Sequence, residues 1–324
     1  MNNVLITSKD FGSQLGVEHR NQLAGYLEEN GWHILWNPQD QAMSAQEIIR
    51  VNEKYPLAAI IVYSSSDQIS REVFEQCRSL KVVSRHGVGI ENIDKPAAQV
   101  AGVQVKTTAD MPGYETVADL TFALMLSLAR KVHIIDAHLR NNKWYRPIAS
   151  DVWGKTLGIV GLGRIGKAVV QRAKGFGMKL LVHTGHPDPE YLAKNAITLC
   201  TKEELLASAD YITLHSALTE ETRGMIGAQE FSQMKTSAYL INTARSGLVD
   251  QKALLAALTE RRIAGAAIDV FDIEPVANDP LLQANFDSLV ATSHVGSYTY
   301  DSLRRMDFAA AENIVECVKV AYSA

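Results

Sequence analysis

Cysteine is scarce. Cys77, Cys200 and Cys317 stand far apart in the chain, with neither the paired spacing of a metal site nor the density of a disulfide framework, and they read as ordinary buried thiols. Charge of one sign is also lacking: 32 basic against 36 acidic side chains leave a net charge of −4, which gives nucleic acid no electrostatic footing. Long apolar runs are missing. The longest, Leu120 to Ala129 (LTFALMLSLA), is too short to span a bilayer and sits inside a helical pattern, so it reads as a buried helix with no membrane role. The N-terminal MNNVLITSKD has no basic segment followed by an apolar core, and the expected compartment is the cytoplasm. No charge run or low-complexity segment interrupts the chain.

What is present is enough apolar side chain, 47% of 324 residues, for two cores and hence two domains. The sharpest local feature is LGIVGLGRIG, Leu157 to Gly166. An apolar run enters GxGxxG at Gly161, Gly163 and Gly166 and leaves into a helical stretch, Lys167 to Phe176. The first glycine allows the tight turn, the second lets a pyrophosphate approach the backbone, and the third lets helix pack on strand. Amides at the helix start then face the phosphates of a dinucleotide.

Strands and helices alternate on either side of this loop. The first region reads as strand Asn3 to Thr7, helix Leu23 to Asn30, strand Ala58 to Val62 and strand Leu80 to Val83, ending in the loop Arg85 to Gly89. Glu115 to Leu139 reads as one long helix with an apolar stripe at Val117, Leu120, Leu124, Leu128, Val132 and Ile135, a link between domains and an oligomer surface. The second region carries strands at Lys179 to His183, Tyr211 to Leu214, Ala238 to Asn242, Ala264 to Asp269 and Val290 to Ser293. The final helix, Asp301 to Val320, finds no partner there and is expected to close back on the first domain. The fold class is therefore α/β, with two Rossmann-like doubly wound domains. The cofactor domain, 103–292, is inserted into a discontinuous substrate domain, 1–102 and 293–324.

Several motifs now combine. GKTLGIVGLGRIGKAVVQRAKGFGMKL (Gly154 to Leu180), INTARSGLVD (Ile241 to Asp250), AAIDVFDIEP (Ala266 to Pro275) and TSHVG (Thr292 to Gly296) resemble the D-isomer specific 2-hydroxyacid dehydrogenases. SRHGVGIENID (Ser84 to Asp94) and ETVADLTFALML (Glu115 to Leu126) resemble the earlier motifs of that family, most closely those of its phosphoglycerate dehydrogenase-like and glyoxylate/hydroxypyruvate reductase-like members. The match runs in order over nearly the whole chain.

The resemblance implies hydride transfer between a nicotinamide cofactor and a small 2-keto or D-2-hydroxy acid, by a homodimer that needs no metal. Such a reduction asks for a cation to orient the substrate and a proton donor for the developing alkoxide. By resemblance Arg245 is the cation, His294 the acid in reduction and base in oxidation, and Glu274 the carboxylate on the other ring nitrogen. Taken singly, each has a plain structural explanation: a surface arginine, a turn before Pro275, a core histidine. Together they fall at predicted strand ends on the side where open α/β sheets hold ligands.

The resemblance also marks cofactor contacts at Arg164, Ile165, Thr184, His186, His215, Ser216, Ala217, Thr222, Thr243, Ala244, Arg245, Asp269, His294 and Gly296, besides the three glycines. Among these His215 lends backbone to the adenosine side, and Asp269 resembles the carboxylate that holds the nicotinamide amide. Substrate recognition falls to Tyr63, Ser64, His86, Gly87, Val88 and Gly89 with Arg245, the amides of Val88 and Gly89 forming an anion nest.

Two departures from the family pattern matter. Thr184 stands where NAD-binding members close the second strand with an acid, and His183 or His186 could add positive charge, so NADP is expected ahead of NAD although no arginine is present. Tyr63 stands where phosphoglycerate-oxidising relatives carry arginine, which favours a smaller or neutral-tailed acid. A dinucleotide-sensing corepressor with little turnover is the alternative from another class. Formate dehydrogenases, which carry glutamine in the place of Glu274, fit less well.

Overall fold

A computed structural model describes residues 2–39, 41–109 and 111–321 of the chain. The outermost positions of the expected substrate domain, 1 and 322–324, lie outside the described residues. The chain divides into two compact units, one of residues 1–113 with 299–324 and the other of residues 114–298.

The first unit holds β1 (Asn2–Ile6), α1 (Val17–Glu29), β2 (Trp32–Trp36), α2 (Ala45–Lys54), β3 (Leu57–Val62), α3 (Arg71–Gln76), β4 (Val82–Arg85), α4 (Lys95–Val100) and β5 (Gln104–Thr107). Its sheet is wholly parallel, in the order β2-β1-β3-β4-β5. LAAIIV of β3 and VVSR of β4 are buried almost throughout, as strands covered on both faces by helices must be. Ser44 and Glu47 start α2 with a reciprocal capping box. The C-terminal helix, Tyr300–Ala321, belongs to this unit. Its Ala310, Ala311, Ile314 and Val315 pack into one core cluster with Val4, Ile6 and Val82.

The second unit opens on α5 (Gly113–Arg130) and α6 (Val132–Arg140). It continues through β6 (Thr156–Val160), α7 (Arg164–Gly175), β7 (Lys179–His183), α8 (Pro189–Lys194), β8 (Thr198–Leu199), α9 (Lys202–Ser208) and β9 (Tyr211–Leu214). There follow α10 (Ala228–Gln233), β10 (Tyr239–Asn242), α11 (Gln251–Thr259), β11 (Gly265–Ile268), α12 (Pro280–Gln283) and β12 (Leu289–Ala291). All seven strands are parallel, in the order β12-β11-β10-β9-β6-β7-β8, the doubly wound order that reverses between β6 and β9. The register puts Val160, His183, Leu214, Asn242, Ile268 and Ala291 in one row, so every following loop leaves the same edge.

Three expectations need correction. The stretch Glu115 to Leu139 is two helices, broken at Lys131, whose left-handed φ of 54° turns the chain. Val132 of the expected stripe is consequently 55% exposed while Leu124 and Leu128 are buried. The first unit runs to residue 113 rather than 102, because β5 pairs with β4. Residues 293–298 stay with the second unit, because the Val295 and Gly296 amides bind Asp269. Among the described residues no helix is long and apolar enough to cross a membrane.

Candidate active site

The row of strand ends in the second unit carries the glycine loop. Gly161 follows β6 with a φ of 97°, and a Cβ there would meet the His215 carbonyl carbon at 2.7 Å, so only glycine lets the loops after β6 and β9 lie this close. At Gly163 a Cβ would meet nothing within 4 Å: the space before the first turn of α7 is open, as a phosphate cradle on a helix N-terminus requires. Arg164 and Ile165 begin that helix, and Gly166 backs onto the Gly161 carbonyl. The residues present fit a dinucleotide.

His215 contributes shape but no charge. Its amide donates to the Val160 carbonyl at 2.7 Å, its Nε2 lies 2.9 Å from Thr213 Oγ1, and burial drives its imidazole down to a pKa of about 3. Ser216 Oγ donates to the Val160 carbonyl at 3.3 Å, and Thr222 Oγ1 donates to the Ala217 carbonyl at 2.7 Å, closing the loop after β9 on itself. After β7, Thr184 Oγ1 accepts from the His186 amide at 3.3 Å, and His186 itself is exposed. The nearby Asp188 is engaged elsewhere, with Lys167 Nζ at 2.9 Å and the Tyr191 amide at 3.0 Å.

The turn after β10 is built by a residue that sequence reading passed over. Asn242, 2% exposed, accepts from the Ala244 amide at 3.1 Å and donates to the Arg245 carbonyl at 2.8 Å. Thr243 beside it shares a 3.0 Å hydroxyl contact with Thr121 of α5. Arg245 emerges half-buried and donates from Nη1 to the Ala244 carbonyl at 2.8 Å.

Glu274 and His294 meet directly. His294 Nδ1 lies 2.7 Å from Glu274 Oε2, and the other carboxylate oxygen accepts from the Phe271 amide at 2.9 Å. A carboxylate can only accept, so Nδ1 carries the proton and Nε2 is the nitrogen left for a reactant. Burial pushes the Glu274 carboxyl upward, but the hydrogen bonds from His294 and the Phe271 amide, with the charges of His294 and Arg245, hold it below its ordinary range. The hydrogen bond to Glu274 lifts the imidazole above its ordinary range against its own desolvation, with the Glu274 and Asp269 charges adding and Arg245 opposing.

Asp269 does more than expected. Its carboxylate, 1% exposed, accepts from Thr292 Oγ1 at 2.6 Å and from the Val295 and Gly296 amides, each at 2.9 Å. Three of its roughly four acceptor positions thus hold the segment that carries His294, leaving one for a ligand amide. His294 itself takes a φ of 54°, uncommon for a residue with a side chain, and the flanking bonds to Asp269 hold it there.

The remaining predicted residues lie in the first unit. Arg85 at the end of β4 is 8% exposed, and its guanidinium gathers the carbonyls of Val62, Tyr63, His86 and Gly89. The Gly87 amide is closed by Thr108 Oγ1 at 2.9 Å, whereas the Val88 and Gly89 amides meet no acceptor among the described residues. The open amides of this turn are therefore the two expected to form the anion nest, Val88 and Gly89. His86 turns its ring inward, 6% exposed, with Tyr63 stacked on it at 4.9 Å. Ser64 builds a turn, its amide donating to Asp67 at 2.9 Å and its hydroxyl accepting from the Ser66 amide.

Comparison with known proteins adds the family. The model for "D-isomer specific 2-hydroxyacid dehydrogenase, NAD binding domain" matches residues 122–296. A glyoxylate reductase of Korarchaeum cryptofilum is 39% identical over 300 residues, covering 89% of this chain and 87% of that protein. A D-3-phosphoglycerate dehydrogenase of Methanocaldococcus jannaschii is 39% identical over 270 residues, 82% of this chain, which spans only 51% of that longer protein. Among solved structures, the TT0316 protein of Thermus thermophilus superposes with a TM-score of 0.86 at 33% identity, covering 98% of this chain and 97% of that one.

Proposed function

Because this chain belongs to the D-isomer specific 2-hydroxyacid dehydrogenases and is a nicotinamide-dependent hydroxy acid oxidoreductase, we propose that it reduces a small 2-keto acid with Arg245, Glu274 and His294 as catalytic residues. The observation that carries this reading is the 2.7 Å hydrogen bond between His294 Nδ1 and Glu274, which leaves Nε2 for the substrate. A nicotinamide cofactor held at the glycine loop would supply the hydride for such a reduction. His294 gives the carbonyl oxygen its proton from Nε2, and Glu274 favours the imidazolium that holds that proton. Arg245 orients the substrate and polarises its carbonyl with a planar, permanently charged fork. With its side chain 46% exposed, His294 regains its proton from water.

The Val88 and Gly89 amides take the substrate carboxylate in this reading, in a turn whose His86 and Gly89 carbonyls accept from Arg85. A small or neutral-tailed acid such as glyoxylate or hydroxypyruvate fits best. Tyr63 gives a phosphorylated tail no cation, and relatives matched over most of their length are named glyoxylate reductase. NADPH is the favoured donor, since Thr184 rather than a carboxylate follows β7, and the nearby Asp188 is paired with Lys167. The protein works as a homodimer, a reading supported by the exposed Trp144, Ile148 and Trp153 beyond α6. The relatives are named as enzymes, which favours turnover over dinucleotide sensing.

The test is oxidation of NADPH and NADH by the purified protein against glyoxylate, hydroxypyruvate and pyruvate. Turnover with at least one acid, faster at limiting NADPH than at limiting NADH, is the expected result. Turnover with NADH alone refutes the cofactor assignment, and no turnover with either refutes the enzyme.

A further inference from the structure

The sheet of the first unit, in the order β2-β1-β3-β4-β5, reverses its winding between β1 and β3, and the crevice at the carboxyl ends of those two strands is where an open sheet of this kind takes a ligand. Thr7 follows β1 and Tyr63 follows β3, so the two residues flank that crevice. They are tied together by hydrogen bonds. The Tyr63 amide donates to Thr7 Oγ1 at 2.9 Å, and Thr7 Oγ1 in turn donates to Asp67 Oδ2 at 2.5 Å. The same carboxylate oxygen accepts from the Ser64 amide at 2.9 Å, and Oδ1 accepts from the Met43 amide at 2.8 Å.

The backbone of Tyr63 and Ser64 is thereby held at every polar group. Thr7 takes the Tyr63 amide and Arg85 Nη1 its carbonyl, at 2.6 Å; Asp67 takes the Ser64 amide and the Asn92 side-chain amide its carbonyl, at 3.3 Å. Thr7 and Asp67 are 1% and 0% exposed, whereas Tyr63 is half-buried. A satisfied polar network of this kind specifies one conformation, where apolar packing alone would let the loop after β3 shift.

We propose that Thr7 and Asp67 are positioning residues for the substrate: their hydrogen bonds fix Tyr63 and Ser64 at the crevice and thereby set how tightly the 2-keto acid is held. The proposal rests on the assignment of Tyr63 and Ser64 to substrate recognition. Buried as they are, Thr7 and Asp67 act only through those two residues. Their loss should therefore act on keto-acid binding and not on the cofactor, which belongs to the glycine loop of the other unit.

Thr7→Val keeps the shape of the side chain but removes both the acceptor for the Tyr63 amide and the donor to Asp67. Steady-state kinetics of this variant, with the 2-keto acid that the wild type reduces fastest, should show its KM raised about tenfold to a hundredfold, the KM for the nicotinamide cofactor and kcat changing by no more than about threefold. Asp67→Asn, which turns one acceptor oxygen into a donor, should raise the same KM, and Thr7→Ser, which keeps the hydroxyl, should stay within about threefold of the wild type. A merely structural role predicts something else: a lower melting temperature and a smaller active fraction, seen as a fall in kcat with both KM values unmoved. That outcome, or an unchanged keto-acid KM in folded Thr7→Val, overturns the proposal. Should that variant not fold, an unchanged KM in Asp67→Asn does so, and failure of both to fold does so as well. Tyr63→Ala separates this failure from that of the reading beneath it. If it raises the keto-acid KM while Thr7→Val does not, the positioning role alone is lost; if it too leaves that KM unmoved, the assignment of Tyr63 to the substrate has failed. Absence of turnover in the wild type removes the functional reading and the ground of this inference together.

Discussion

Glu274 acts on His294 through one short hydrogen bond, and that bond has a measurable sign. Because Glu274 lifts the imidazole above its ordinary value, the protonated form needed for reduction persists to higher pH than a free histidine allows. Reduction should therefore fail as the pH rises through the lifted value. In Glu274→Gln the neutral amide can still accept from Nδ1 but no longer favours the charge, so the alkaline limb of kcat/KM for reduction should move to lower pH. The complementary lowering of Glu274 keeps its carboxylate ionised across this range, so the acidic limb does not report it. A pH profile from 5 to 10 checks this, and an unmoved alkaline limb would show that the two side chains are not coupled during turnover. The pairing was readable in DIEP and TSHVG because family resemblance supplied it. The inward turn of the His86 ring was not, because the rings it packs against, Tyr63 and Phe11, come from distant parts of the chain.

At the scale of elements, the loop after β12 is held by a residue at the end of β11. Asp269→Ala would strip the acceptor from Thr292 Oγ1 and from the Val295 and Gly296 amides at once. We expect a loss of about 2–5 kcal/mol of unfolding free energy and a fall in kcat of about a hundredfold, because His294 would leave its left-handed conformation. Urea unfolding with parallel kinetics measures both, and a variant with wild-type stability and turnover would show that other contacts hold the segment. Strands built on a short apolar run, such as β7 and β9, were legible to the residue, for Lys179–His183 and Tyr211–Leu214 are the spans expected. The break at Lys131 was not. An apolar stripe continues across it, and nothing in the local pattern marks a lysine for a φ of 54°. The short strand β8, Thr198–Leu199, has too few residues for any period to show, and it exists only through its pairing with β7.

At the scale of the whole molecule, the chain leaves its first unit and returns to it only at residue 299. The unpartnered apolar face of the last helix made that return legible, since a helix of this length must bury its stripe somewhere. The return packs the C-terminal helix into the core of the first unit, while the inserted unit carries the glycine loop, Arg245, Glu274 and His294. The central claim is that this inserted unit performs proton transfer through His294. Its most direct test compares wild type and His294→Ala in NADPH oxidation with the preferred 2-keto acid, together with fluorescence titration of the cofactor into both. The account predicts turnover lowered about 10²- to 10⁴-fold by the substitution, with cofactor affinity unchanged within about a factor of two. Near-wild-type turnover in His294→Ala would contradict it.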